Sequence, residues 1–167
     1  SGIVFSKIMN WGTPAELGLW FLVMTIFYIS GNILTARYAS RIGTHRINLI
    51  GTSIALFGVV VLTLVYNSVG VTSFTFFGLI WFVGLGNGMC IASGVAIAIG
   101  ADKHRVGAAA GLSGSLQLGA GGALATWIVS VLLTETPYPL ILTMLILCIG
   151  GFIASAIGAR ILNKAKI

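Results

Sequence analysis

The chain is a succession of apolar runs, each about 20 or more residues long and separated by short polar segments. A helix needs about 20 predominantly apolar residues to cross the hydrocarbon of a bilayer. Lipid offers no hydrogen bonds, so each run must pair its own N–H and C=O groups along its length. Five segments reach that length, approximately 15–37, 47–66, 73–100, 107–133 and 138–160. The expected fold is an all-α membrane protein of five transmembrane helices, with residues 1–167 forming one membrane unit.

Composition excludes the main soluble alternative. Globular domains carry about a quarter charged residues; here 7% are charged and 57% hydrophobic. A net charge of +6 in a soluble protein would suggest nucleic acid as a partner. In this chain the cations sit between apolar runs, so they report topology and the expected partner is the lipid bilayer. Cytoplasmic segments retain Lys and Arg. Arg37, Arg41, Arg46, Lys103, Arg105, Arg160, Lys164 and Lys166 all fall on one side, against Lys7 alone on the other. That bias places the N-terminus outside and the C-terminus in the cytoplasm. The chain begins at Ser1 without an initiator Met and shows no signal-peptide pattern, which leads us to expect a partial sequence.

Helix boundaries are marked in places. Thr13-Pro14-Ala15-Glu16 combines an N-cap Thr, a Pro at the first helical position and a Glu able to close a capping box. Turns are expected at Tyr66-Asn67-Ser68-Val69-Gly70 and at Thr134-Glu135-Thr136-Pro137, which makes consecutive helices antiparallel neighbours.

In lipid, helices associate largely through close contact at small residues. Gly84 and Gly88 in the third run, and Gly107, Gly111 and Gly119 in the fourth, are the expected packing positions. Polar side chains are costly towards lipid, so a polar stripe marks a face turned to the bundle or to an aqueous cavity. Such stripes hold Asn32 in the first run, Asn87 in the third, and Ser113 and Gln117 in the fourth. These four are the candidates for lining a substrate cavity. The second and fifth runs lack mid-span polar residues of comparable strength and read as peripheral. Against a cavity role stands the bland reading, in which each amide simply bonds a neighbouring helix.

Several chemistries are missing. No Asp, Glu, Lys or Arg falls deep within a run, so the chain has no group of its own to couple transport to protons. His45 and His104 lie among cations, and Cys90 and Cys148 have no metal or disulfide spacing. No cofactor motif or metal site is expected, nor is enzyme activity. Gly84-Leu85-Gly86-Asn87-Gly88 lies within an apolar helix and is not a nucleotide loop.

That glycine run, followed after a basic segment by Gly107-Ala108-Ala109-Ala110-Gly111-Leu112-Ser113-Gly114-Ser115-Leu116-Gln117, resembles helices ten and eleven of the major facilitator superfamily, closest to the drug:proton antiporter branch with its bicyclomycin-resistance-like exporters. Arg41-Ile42-Gly43-Thr44-His45-Arg46 is similar to the family's basic cytoplasmic loop between helices eight and nine, with Arg41, Gly43 and Arg46 at the matching positions. Ser40 and Ala36 replace the motif's acid and glycine, so its charge-relay role is not carried over, and Cys90 stands where a helix-ten proline is frequent.

The resemblance implies that the chain is the C-terminal part of a 12-helix fold, covering helices eight to twelve. It implies a bacterial inner-membrane protein that exports small amphipathic drugs or metabolites, with coupling protons handled mostly by the N-terminal half. Helices eight, ten and eleven would line the central cavity, while nine and twelve stay peripheral. A sugar or metabolite carrier of the same superfamily, or a stand-alone five-span scaffold or channel subunit, are the alternatives.

Overall fold

The computed structural model describes residues 13–70, 72–101, 106–115, 119, 122–123, 127 and 138–164. Among these it is all helical: α1 Pro14–Ile42, α2 Thr44–Val69, α3 Ser73–Ala101, α4 Val106–Ser115 and α5 Tyr138–Lys164. Four of them, α1, α2, α3 and α5, are long and apolar enough to cross a membrane. The fourth run is described as helix over Val106–Ser115; the expected turn at 134–137 lies outside the described residues.

The start of α1 forms as its sequence suggests. The Glu16 backbone N–H donates to Thr13 Oγ1, and Glu16 Oε2 accepts from the Thr13 N–H at 2.7 Å. Helix ends elsewhere run past the expected points. α1 continues through Arg37 and Arg41 to Ile42, because long cations extend towards water from a helix that nothing else interrupts. Gly43 stops it with φ of +94°, and α2 begins at the next residue. One residue therefore joins two spans where a longer basic loop is expected. The turn expected at 66–70 is likewise mostly helix: α2 runs to Val69 and ends at Gly70, φ +81°.

Side-chain contacts fix the directions of the helices. Trp20 near the start of α1 meets Phe74 and Phe77 near the start of α3. Tyr66 at the end of α2 lies 5.8 Å, ring to ring, from Tyr138 at the start of α5. Asn48 at the start of α2 donates to Ser155 near the end of α5. So α1, α3 and α5 run one way and α2 the other. Arg37, Arg41, Arg46 and Arg160 collect at one end of the bundle, with Glu16 at the opposite end.

α3 is the central helix, packed against both α1 and α2, while α2 also carries α5. The α1–α3 seam is built on glycine. A Cβ at Gly88 would run into the Tyr28 carbonyl, one at Gly31 into the Leu85 carbonyl, and one at Gly84 would press on Met24 at 3.1 Å. The α2–α3 seam works the same way. Gly86 faces the Gly51 carbonyl, and a Cβ at Gly51 would stand 2.8 Å from Met89 Cβ. Where α2, α3 and α5 meet, Leu62, Phe76, Phe77, Ile80 and Ile141 form a buried cluster, with Ala55, Val59 and Val83 forming a second.

Within the chain α2 is thus an interior helix. Its lack of mid-span polar side chains suggests a peripheral place, but its partners are held by the small residues Gly51, Ala55 and Gly58. Gly84 and Gly88 pack as expected. At Gly107, Gly111 and Gly119 no described atom lies within 4 Å of where a Cβ would stand, so the described residues show no close helix packing there.

Candidate functional site

The midpoint of α3 is Asn87, fourteen residues from Ser73 and fourteen from Ala101. Helical geometry turns Gly84 and Gly88 towards α1 and Gly86 towards α2, which leaves Asn87 on the remaining face. There it lines a cavity of about 360 Å³ between α2, α3 and α5, together with Thr52, Cys90, Met144, Cys148 and Gly151. Asn87 is exposed, and its amide has no hydrogen-bond partner among the described residues. A neighbouring recess shares Thr52 and Gly151 with this cavity and extends past Asn48 and Ser155 to His45 at the basic end.

A network of polar side chains runs beside the recess and joins it to α3. Ser93, fully buried, donates to Asn48 Oδ1 at 3.0 Å and to the Met89 carbonyl at 2.7 Å. Asn48 Nδ2 donates to Ser155 Oγ. The Asn48 carbonyl accepts from Thr52 Oγ1 at 3.1 Å and from the Cys90 thiol at 3.7 Å. One asparagine thus ties three helices together, each of its polar groups finding a partner inside an apolar bundle. On the other seam, buried Thr35 of α1 donates to the Met89 carbonyl at 3.4 Å.

The four candidates from the sequence separate here. Asn87 lines the cavity. Asn32 instead lies on the α1–α3 seam, where its Nδ2 donates to the Tyr28 carbonyl at 2.9 Å and its backbone N sits beside Gly88. Ser113 falls in α4, with its side chain outside what the structure describes, and Gln117 lies outside the described residues. Of the two candidates whose side chains are described, one lines the cavity and the other lies on the α1–α3 seam. Arg41 and Arg46 are exposed and flank the Gly43 corner, at the opposite end of the bundle from Glu16, the only described carboxylate.

Sequence reasoning missed the Asn48 network. Asn48 and Thr52 stand at i, i+4 on the same face as Gly51 and Ala55. Polar groups in register with small residues mark a packed face, and that was the available signal.

Among the described residues no three of His, Cys, Asp or Glu gather in a way that could hold a metal. Cys90 and Cys148 are both free thiols. No protein-family model, curated protein or solved structure matches the chain.

Proposed function

We propose that this chain is the C-terminal part of a major facilitator superfamily transporter, of the drug:proton antiporter branch, that exports small amphipathic compounds by alternating access. The observation that carries the reading is Asn87. An amide with no partner among the described residues is expensive towards lipid at the middle of a membrane-length helix, and it stands instead in a cavity at the depth where transporters build substrate sites. The walls that α2 and α5 give this cavity come from the second and fifth runs, which the resemblance places at the periphery, so in this reading those two helices also face the path. Packing through glycine seams also favours this reading, because smooth backbone-to-backbone contacts let helices rock without unlocking interdigitated side chains.

Further support comes from topology. α3 ends and α5 begins at opposite ends of the bundle, so an odd number of passes separates them. A fifth span over 107–133 meets that requirement. The collected arginines make their end the cytoplasmic one under the charge bias of inner-membrane proteins. The carboxylates that exchange protons belong, in this reading, to the other half of the transporter.

The test is export by the full-length protein carrying Asn87→Ala, measured as dye or drug accumulation in cells with matched expression. Loss of export of at least one amphipathic substrate, by about tenfold or more, is expected if the amide contributes about 1.4 kcal/mol to binding. Unchanged export of every substrate that the unaltered protein handles removes Asn87 from the path.

A further inference from the structure

The end of the bundle opposite the arginines holds a second cleft that shares no lining residue with the Asn87 cavity. It measures about 490 Å³, within the range of small-molecule sites. Its walls come from α1 and α3: Glu16, Leu19, Trp20, Ser73, Phe74 and Trp81. The aromatic rings form a continuous set. Trp20 stacks on Phe77 at 5.2 Å and 12°, meets the edge of Phe74 at 5.0 Å and 86°, and lies 5.9 Å from Trp81. Phe27 backs Trp81 in turn, stacked at 5.5 Å. These contacts leave little freedom to the rings that face the cleft.

Glu16 supplies the charge. Its Oε2 is held by the Thr13 N–H at 2.7 Å and the Thr13 hydroxyl at 3.3 Å, while Oε1 has no partner among the described residues. The capping box therefore fixes a carboxylate at the mouth of an aromatic cleft. No described Lys, Arg or His lines this cleft, and the described arginines stand at the far end of the bundle.

Cations are attracted to the faces of Trp and Phe rings, and aromatic cages recognise quaternary ammonium groups in this way. An anion would meet Glu16 with no described counter-charge beside it. A phospholipid headgroup would bring a phosphate for which no described basic group is present. A hard metal ion needs six or more oxygen ligands in the case of calcium, and one carboxylate with one serine falls short.

We propose that the cleft between α1 and α3 binds a compact organic monocation, its charged centre beside Glu16 and its apolar body against Trp20, Phe74 and Trp81. Binding here is separate from the transport reading: it needs neither Asn87 nor a conformational cycle.

The experiment uses the full chain in a non-ionic detergent, with benzyltrimethylammonium as probe and tryptophan fluorescence as the readout. Its neutral carbon isostere, neopentylbenzene, has the same shape without the charge. The cation should bind about tenfold more tightly than the isostere, as a cation–π and carboxylate contribution of about 1.4 kcal/mol requires. Equal affinities overturn the proposal without any substitution. Glu16→Gln keeps a residue able to close the capping box and should weaken the cation about tenfold while leaving the isostere unchanged; undiminished cation binding by this variant also overturns it. Added phosphatidylcholine should leave the probe in place, and competitive displacement would show that a lipid headgroup occupies the cleft instead.

Discussion

Gly88 of α3 lies so close to the carbonyl of Tyr28 on α1 that a methyl group at this position would overlap the oxygen. The obstacle is backbone rather than a flexible side chain, so relief requires α1 and α3 to move apart. Overpacking of this kind costs about 1–3 kcal/mol. Gly88→Ala should lower the thermal midpoint in detergent, whereas Gly94→Ala, with no described atom within 4 Å of its Cβ position, should leave it near the original value. Equal midpoints for the two variants would contradict the seam.

Asn48 bonds Ser93 on α3 and Ser155 on α5. Interhelical hydrogen bonds in membranes contribute about 0.6 kcal/mol on average and up to about 1.7. Asn48→Ala breaks two of them and should destabilise the chain by about 1–3 kcal/mol. Ser155→Ala should cost less, since Asn48 keeps its bond to Ser93. The ranking is read from thermal midpoints, and a larger loss for Ser155→Ala than for Asn48→Ala would place the centre of the network elsewhere.

Trp81 presents the reverse situation. Its indole N–H is buried and has no acceptor among the described residues. A buried donor without a partner costs about 1–3 kcal/mol, so Trp81→Phe discards a liability along with some packing area. The variant should unfold within about 1 kcal/mol of the original protein. A loss of several kcal/mol would mean that the N–H is bonded after all.

Asn87 leads to a prediction in which stability and function part company. Asn87 is exposed in its cavity, so its amide carries no burial cost and an apolar side chain of similar size adds little. Asn87→Leu should leave the thermal midpoint of the chain within about 0.5 kcal/mol of the original while reducing export by the full-length protein. A lowered midpoint would show that the amide makes a favourable contact and would weaken its assignment to the cavity.

The long apolar runs and the Thr13–Glu16 cap were legible in the sequence because each is a local property: run length answers to bilayer thickness, and a capping box closes within four residues. Helix ends near charges were not. Arg37 and Arg41 end the apolar stretch but not the helix, since a cation can reach water while its backbone stays hydrogen-bonded. Asn87 was legible as a mid-span amide, but its separation from Asn32 was not, because the partner of a stripe depends on which helix lies beside it. The same limit hid Asn48, whose partners are 45 and 107 positions away along the chain.

The Gly43 corner has a mechanical consequence. With a single residue between α1 and α2, and consecutive Cα atoms only about 3.8 Å apart, neither helix can slide along the membrane normal without pulling the other. The two are prongs of one fork with α3 held between them. They are tied at the arginine end and untied at the end bearing Glu16, so the single-residue link limits their spacing at the first end and leaves it to packing against α3 at the second.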